Sequence, residues 1–291
     1  MEKTLKGIIL AGGTGSRLFP ITSSVNKQLL PVFDKPLVYY ALAKLLECGI
    51  REICLVSTPL NLVEFQTLLM PFKALGVTLK YMTQESPKGI PEAFSICEDF
   101  IQNDDVCLIL GDNIFADGGQ IKSVFSGFSG GARALGISVD NPSKYGVIEI
   151  DRIGKIINIV EKPTNPPSKI AIPGFYIFDN SVVHHAKNLK TSGRGELEIV
   201  DLLKKYLQDD RLEIFQMKND CTWFDAGTPE SLLDASNFIA KEQENFKTVV
   251  GSPEFEALSN GMLSLEDLLA HTNNLPSCAY KEKLLAICKS R

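Results

Sequence analysis

A glycine-rich turn near the N-terminus carries an arginine that is suited to binding an anion. The apolar run 5–10 ends in the sequence AGGTGSRLFP at residues 11–20. Backbone N–H groups in such a turn can surround phosphate oxygens, and Arg17 can add a bidentate contact. The turn is not a P-loop, because no Gly-Lys-Ser/Thr follows, and Leu18 stands where the dinucleotide fingerprint needs a small residue. A purely structural turn remains the alternative.

A second cation follows this turn. Lys27 lies in the sequence NKQLLPV, beside the apolar run 29–32. A lysine at the border of a packed segment has its charge held in place, whereas an ordinary surface lysine does not. Arg17 and Lys27 together favour a site for a small phosphate-bearing ligand over a structural turn.

Two aspartates could hold a metal ion. Asp112 follows the apolar run 108–110, and Asp225 follows Trp223 and Phe224. Two carboxylates, phosphate oxygens and water are the usual surroundings of Mg²⁺. Each aspartate could instead cap a helix, although Thr228 is the better cap for a helix that begins at the next residue. The three histidines are distant from any cysteine pair, which gives little support to a zinc site.

These side chains require strands that end at a common edge. In the first 110 residues, the predicted strands are 5–10, 52–57, 77–82 and 106–110, and the predicted helices are 36–47, 61–70 and 91–100. Such alternation predicts an α/β fold with a doubly wound, mostly parallel sheet. Ligands bind beyond the carboxyl ends of its strands, where the glycine turn and Asp112 both fall.

The remainder of the chain has a different pattern of predicted strands and helices. The predicted strands there are 134–139, 146–150, 156–160 and 174–178, and they are followed by a long helix at 229–245 and a helical tail from residue 253. Few helices separate these strands, which predicts a small mixed or antiparallel extension of the sheet. The leucines of the tail are typical of core or subunit contacts.

Composition narrows the possible partners. The 291 residues are 44% hydrophobic and carry a formal net charge of −5. This charge gives no general attraction to nucleic acid or to an anionic membrane, so local cations must hold any anionic ligand. The N-terminus lacks the pattern of a signal peptide, and no apolar run approaches a membrane span. The seven scattered cysteines are expected to be reduced thiols, and we expect a cytoplasmic protein.

The two cationic segments resemble the signature of the sugar-1-phosphate nucleotidyltransferases, and within that family the thymidylyltransferases. The resemblance extends in order along nearly the whole chain, through QESPKGIPEAF from residue 84, LGDNIF at 110–115, YGVIE at 145–149, EKP at 161–163, GFYIFD at 174–179, RGELEIVD at 194–201 and WFDAGTPESLLDAS at 223–236. Any one of these motifs alone would be weak.

The resemblance implies a Rossmann-like nucleotidyltransferase fold and a reaction. A sugar 1-phosphate attacks the α-phosphorus of a nucleoside triphosphate, giving a nucleotide sugar and pyrophosphate. Such transfers depend on positioning and charge neutralisation, so no nucleophile–base pair is expected. The implied substrates are dTTP and glucose 1-phosphate, with Mg²⁺. Domain 1–246 would comprise a nucleotide half (about 1–130) and a sugar half (about 131–228), and the tail 247–291 would serve oligomerisation, commonly as a homotetramer.

The resemblance also assigns residues. Arg17, Lys27 and Lys162 are the implied catalytic residues, and Asp112 and Asp225 the metal ligands. The nucleotide site would comprise Gly12, Gly13, Gly15, Ser16, Gln28, Gln84 and Gly89. The sugar-phosphate site would comprise Asn113, Tyr145, Gly146, Glu161, Lys162, Ile172, Gly174 and Glu196. Of these, Tyr145 and Gly146 could simply start a strand, and Glu196 could be a solvated charge or a helix cap.

Two departures from the family pattern leave the substrates open. Pro91 and Glu92 replace an Ala-Gln pair in the base-contacting segment. UTP, or an amino or deoxy sugar phosphate, therefore stays possible. The turn 116–119 lacks the usual aromatic, glycine and histidine, so the family's feedback site is not carried over.

Two other classes of protein compete with this interpretation. A glycosyltransferase of the same fold would usually show an Asp-x-Asp motif, which the sequence Gly111-Asp112-Asn113 lacks. A non-catalytic nucleotide-sugar sensor would be expected to lose part of the set Arg17, Lys27, Asp112 and Asp225.

Overall fold

A computed structural model describes residues 4–218, 220–246 and 248–290 of the chain. Its strands are β1 (Leu5–Leu10), β2 (Pro31–Val32), β3 (Lys35–Pro36), β4 (Glu52–Ser57), β5 (Thr78–Thr83), β6 (Asp105–Leu110), β7 (Asn113–Ala116), β8 (Ala132–Ser138), β9 (Gly146–Ile150), β10 (Ile156–Glu161), β11 (Ile170–Ile172), β12 (Phe175–Phe178), β13 (Leu212–Gln216) and β14 (Thr222–Asp225). Its α-helices are α1 (Leu37–Glu47), α2 (Leu62–Leu69), α3 (Glu92–Ile96), α4 (Glu98–Ile101), α5 (Val182–Lys187), α6 (Ile199–Gln208), α7 (Pro229–Phe246), α8 (Pro253–Ser259), α9 (Leu265–Asn273) and α10 (Ala279–Ser290).

The first half of the chain forms a parallel sheet, in agreement with the predicted α/β class. The spatial order is β5-β4-β1-β6, so the chain moves outward from β1 through β4 and β5 and then returns to the other side of β1. This reversal makes a crevice between the carboxyl ends of β1 and β6, where ligands bind in open α/β sheets. The glycine turn follows β1, and Asp112 follows β6.

The second half extends the same sheet with antiparallel pairs, as the change in pattern predicts. β12 joins β6 and β8, and β11, β9 and β10 continue outward. β13 runs parallel to β8 and completes a ten-stranded sheet. The central sheet therefore carries both halves of the site without a break.

Helices cover the two faces of this sheet. Along β1, Ile9 packs in the layer that contains α1 and α2, whereas Ile8 packs in the layer that contains α3 to α6. Successive side chains of a strand point to opposite faces, so a strand buried on both faces is a continuous apolar run. Both isoleucines are fully buried, and burial of each stabilises the fold by about 1.5–3 kcal/mol.

The tail packs back on the sheet domain. Its first helix, α8, packs against α1. Lys35 is buried and donates to Asp34 Oδ1 at 2.5 Å and to the Val250 carbonyl at 2.9 Å. Lys283 of α10 pairs with the other oxygen of Asp34 at 2.8 Å. These contacts fix the tail to the loop before α1.

Several elements differ from the sequence-based prediction, among them the short strands β11 and β13 and helix α5, which were not predicted. The predicted helix 91–100 is two helices, because the chain leaves helical geometry at Cys97, where its thiol packs 3.6 Å from that of Cys54. Helix α6 and the β7–β14 ribbon were not predicted.

In the described parts of the chain, none of the helices has the length and apolar character needed to cross a bilayer.

Candidate active site

The glycine turn after β1 has a backbone that requires glycine at two positions. Gly13 and Gly15 have φ of +97° and +60°, which side-chain-bearing residues rarely adopt. A Cβ on Gly15 would also lie 2.9 Å from Cγ2 of Thr22. Ser16 and Arg17 follow in a short 3-10 turn (Ser16–Leu18), and the Arg17 side chain is 59% exposed. The turn therefore leaves Arg17 free to reach a ligand.

Lys27 is held at the end of β1 by its neighbour. Asn26 donates to the Ala11 carbonyl at 3.3 Å and accepts from the Gln28 amide at 2.8 Å, which caps the 3-10 turn Lys27–Leu29. Lys27 is consequently buried to 8% exposure, and its ammonium pairs with Asp112. Asn26 was not among the predicted site residues, although an asparagine before a short helical turn is a recognisable cap.

The β7–β14 ribbon brings the two aspartates together. Asp225 lies opposite Asn113 in this antiparallel pair, so it is adjacent to Asp112. The amide of Ala226 also donates to the Asp112 carbonyl at 3.0 Å. Residues from distant parts of the sequence thus place two carboxylates at one point.

The two carboxyl groups have opposite electrostatic surroundings. Burial tends to raise the pKa of Asp112, but the Lys27 ammonium and a hydrogen bond from Asn113 hold that pKa below its usual value. Burial raises the pKa of Asp225, and the charge of Asp112 raises it further, against the opposing effects of Lys27, Arg17 and Lys162. The charge of Asp225 is therefore unfavourable in these surroundings, and a further cation would stabilise it.

Asn113 holds neighbouring residues of the site in place through hydrogen bonds. Its amide nitrogen donates to Asp112 Oδ1 at 2.8 Å, and its oxygen accepts from Gly174 N at 2.9 Å and from Trp223 Nε1 at 2.7 Å. The residue is 3% exposed. It thus positions Asp112 and the predicted sugar-side residue Gly174, and its side chain is already engaged in these contacts.

Gly227 gives Arg17 its place beside Asp225. The Arg17 guanidinium lies 3.8 Å from Asp225 Oδ2. A Cβ on Gly227 would lie 2.4 Å from Arg17 Nη2 and 2.8 Å from Cζ. Gly227 was not predicted as a site residue, because close approach between side chain and backbone leaves no periodic signal in the sequence.

A cavity of about 330 Å³ joins five of the predicted nucleotide residues, whereas Gly15 and Ser16 do not line it. It is lined by Gly12, Gly13, Arg17, Gln28, Gln84 and Gly89, together with Asp112, Glu196, Leu10, Pro87, Ile90 and Leu110. Gln28 is buried, and its Oε1 has no hydrogen-bond partner in the described chain. An unpartnered buried oxygen beside a cavity is a group that a ligand could satisfy.

Gly89 links the nucleotide side to the sugar side. It forms a parallel β-bridge with Leu197, and the Leu197 amide donates to the Lys88 carbonyl at 2.7 Å. A Cβ on Gly89 would lie 2.1 Å from the Leu197 carbonyl oxygen. The segment that carries the exposed Glu196 is therefore fixed to the loop that carries Gln84 and Gly89.

An ion-pair network surrounds the predicted sugar-phosphate residues Glu161 and Lys162. Lys162 Nζ lies 3.3 Å from Glu161 Oε1, and Arg194 Nη2 lies 3.1 Å from the same oxygen. Arg194 also pairs with the buried Glu198 at 2.7 Å. Lys162 has a φ of +43° and a half-exposed side chain. Arg194 is a further charged group of this network. It lies in the motif RGELEIVD, but it was not predicted as a site residue.

Backbone pairing and ring contacts assemble the rest of the sugar side. Tyr145 packs on Trp223 with ring centroids 4.7 Å apart, and the Lys162 amide donates to its carbonyl at 3.0 Å. Ile172 is buried and pairs with Gly146, where a Cβ would lie 2.9 Å from the Val200 side chain. These contacts join Tyr145, Gly146 and Ile172 to the strand and loop that lead to Lys162, whose half-exposed side chain carries the charge.

A larger cavity lies elsewhere, beside the tail. It measures about 510 Å³ and is lined by acidic residues that include Glu47, Asp117 and Glu256, together with Lys44. Burial and the charge of Glu47 raise the pKa of Glu256 to about 7, against the effect of Lys44. This cavity contains none of the predicted substrate residues.

The two site aspartates fit a magnesium ion that shares its coordination with a substrate. Throughout residues 4–218, 220–246 and 248–290, no three or more His, Cys, Asp and Glu side chains cluster to enclose a metal. Mg²⁺ is commonly bound by one or two carboxylates plus substrate phosphates and water. Asp112 and Asp225 could provide the carboxylates, and the unfavourable charge of Asp225 matches this role.

Comparisons with known proteins agree with this geometry. The glucose-1-phosphate thymidylyltransferase of Mycolicibacterium smegmatis is 43% identical over 97% of this chain and 99% of its own length. That of Neisseria gonorrhoeae is 43% identical over 97% and 98% of the two chains. A Bacillus anthracis crystal structure, provisionally assigned the same activity and complexed with sucrose, has a TM-score of 0.75 and 42% identity, covering 81% of this chain and 95% of its own.

A more distant structure shares the fold. A UDP-glucose pyrophosphorylase complexed with UDP-glucose has a TM-score of 0.70 at 25% identity, and the similarity covers 82% of this chain and all of that one. The sequence model of the nucleotidyl transferase family matches residues 6–242, which span the glycine turn, both aspartates and the cationic network. The chain therefore belongs to the nucleotidyl transferase family.

Proposed function

We propose that this protein transfers a thymidylyl group from dTTP to glucose 1-phosphate, producing dTDP-glucose and pyrophosphate. The observation that carries the proposal is the convergence of Arg17, Lys27, Asp112 and Asp225 at the carboxyl ends of β1 and β6. The activity named for the full-length relatives, at 42–43% identity, supports the choice of substrates.

The reaction needs charge stabilisation more than it needs covalent chemistry. A phosphate oxygen of the sugar phosphate forms a bond to the α-phosphorus, and the bond from that phosphorus to the bridging oxygen breaks. Pyrophosphate leaves with the electron pair. Arg17, on its open turn, is placed to meet the negative oxygens that are exposed during transfer. A Cβ on Gly13 would meet no atom within 4 Å, so the turn has open space at this residue for the triphosphate.

The aspartates would hold Mg²⁺, which when bound supplies positive charge to the triphosphate oxygens. Asp112 is the more acidic of the two, since Lys27 and Asn113 stabilise its carboxylate. The buried Lys27 ammonium pairs with Asp112. In our proposal the same ammonium also neutralises a phosphate oxygen of the bound triphosphate. This chain's own contribution is to keep Asp112 ionised through Lys27 and Asn113, and to fix both aspartates on the β7–β14 ribbon.

The sugar phosphate would occupy the space beside Lys162. Burial and Asp112 raise the pKa of Asp225, and Lys162 is among the cations that oppose this rise, which supports a role for Lys162 in binding a phosphate beside the metal site. Glu161 is held by Arg194 at 3.1 Å and is oriented to accept hydrogen bonds from sugar hydroxyls. Tyr145, Gly146, Ile172, Gly174 and Glu196 complete the proposed sugar site.

We also propose a homotetramer in the cytoplasm, assembled with help from the tail 247–291. The activity is tested by pyrophosphate release from a matrix of dTTP, UTP, CTP and GTP against glucose, galactose, glucosamine, N-acetylglucosamine and 6-deoxyhexose 1-phosphates with Mg²⁺. We expect the highest kcat/KM for dTTP with glucose 1-phosphate. A preference for UTP or another sugar would revise the substrates, and release from no pair would favour a non-catalytic sensor. Size-exclusion chromatography with light scattering tests the tetramer.

A further inference from the structure

A carboxylate lies behind the glutamine that faces the nucleotide cavity. Gln84 is 3% exposed, and its Nε2 donates to Glu92 Oε2 at 2.7 Å and to the Gly89 carbonyl at 3.4 Å. Glu92 stands in the first turn of α3, directly after Pro91. The segment that departs from the family pattern therefore makes a direct contact with a predicted base-binding residue.

The two partners of Gln84 fix which way its amide points. A carboxylate and a carbonyl can only accept hydrogen bonds, so both require the NH₂ group of Gln84. The amide oxygen must then face the other way, toward Gly12 and the cavity. A Cβ on Gly12 would lie 2.8 Å from this Oε1, so the glycine leaves the oxygen open to a ligand.

We propose that Glu92 is a positioning residue that locks Gln84 as a hydrogen-bond acceptor toward the base and so selects bases with a ring N–H. This inference rests on the proposed function. Thymine and uracil carry such a donor at N3, whereas N3 of cytosine carries a lone pair and meets the locked oxygen with repulsion. The structure thus gives Glu92 a part in rejecting CTP.

The ion pair between Lys88 and Glu92 provides a control that distinguishes the hydrogen bond to Gln84 from a general effect of charge. Lys88 Nζ lies 3.5 Å from Glu92 Oε1, and its side chain is 65% exposed. Removal of Lys88 changes the charge around Glu92 but leaves its hydrogen bond to Gln84 in place. Lys88→Ala is therefore a matched control for Glu92 variants.

The test compares kcat/KM for dTTP and CTP at saturating glucose 1-phosphate. Glu92→Gln replaces the acceptor-only group with an amide that can also donate, so Gln84 gains an alternative orientation. We expect the dTTP-to-CTP ratio to fall about tenfold, which corresponds to about 1.4 kcal/mol. Where CTP is not turned over, its inhibition constant against dTTP replaces its kcat/KM. Lys88→Ala should keep the ratio within about twofold of the wild type.

A second variant keeps the test decisive if the first is unstable. Glu92→Ala removes the acceptor without adding a donor and should also lower the ratio. Loss of the Glu92 charge changes the long-range electrostatic attraction of both triphosphates alike, and so cancels in the ratio. An unchanged ratio in folded Glu92 variants, with dTTP used by the wild type, would overturn this inference alone. A wild type that uses no pyrimidine triphosphate would overturn the proposed function.

Discussion

Substitution of Gly227 by alanine tests whether Arg17 must lie against the backbone beside Asp225. The new methyl carbon would lie 2.4 Å from Arg17 Nη2, whereas ordinary van der Waals contacts begin near 3.4 Å. The guanidinium must therefore retreat by about 1 Å, and it can do so because the Arg17 side chain is 59% exposed. A misplacement of about 1 Å can lower a rate by up to about 100-fold. We expect Gly227→Ala to lower kcat/KM for dTTP by about 10- to 100-fold.

The stability of the variant should change little. Gly227 has no left-handed backbone conformation, and the nearest atoms belong to a movable side-chain end, with Asp225 Oδ1 next at 3.0 Å. Pyrophosphate release measures the activity, and thermal unfolding should shift the midpoint by less than about 3 °C.

A double variant distinguishes the effect of Arg17 from that of Asp225. If the alanine acts by moving Arg17, it should add almost nothing in an Arg17→Ala background. Near-normal activity of Gly227→Ala would refute the reasoning. A full additional loss in the Arg17→Ala background would show that the alanine acts through Asp225 instead.

Three further predictions address the aspartate pair, the sugar side and the tail. Asp225→Asn should abolish Mg²⁺-dependent pyrophosphate release yet raise the melting temperature, because burial and Asp112 make the charge unfavourable; near-normal turnover would remove Asp225 from the metal site. Lys162→Ala should raise the KM for glucose 1-phosphate more than that for dTTP, and equal rises would contradict its role. Glu256 has a pKa raised from 4.5 to about 7, so its contribution to stability is lost as pH rises through this range, by up to about 3 kcal/mol. Urea unfolding at pH 5 and pH 8 should show this loss in the wild type and its absence in Glu256→Gln; equal pH dependence of both proteins would contradict the assignment.

The elements of the sheet could be predicted where the sequence pattern is local. The strands β1 and β4 are buried on both faces, so their bounds follow from the continuous apolar runs in the sequence. The apolar run of β6 likewise predicts that Asp112 lies just beyond a strand end. The proximity of Asp112 to Lys27 does not follow in the same way, because it depends on the pairing of β6 with β1, which no local pattern specifies.

Other parts of the site depend on contacts between distant segments. The pairing of β7 with β14 sets Asn113 opposite Asp225, and no period in either segment specifies that partner. The same holds for Gly227, whose role is visible only when Arg17 is in place. The Gln84–Glu92 contact is a partial exception, because the unusual glutamate marks the segment even though its hydrogen bond cannot be read from the sequence.

The bridge between Gly89 and Leu197 bears on how the enzyme could be re-engineered. Its backbone contact leaves no room for a side chain at position 89, so the loop that carries Gln84 and the segment that carries Glu196 are joined at this point. Changes at 194–198 intended to admit a new sugar should therefore alter nucleotide preference as well. Laboratory evolution of this protein would have to select for the two substrates jointly.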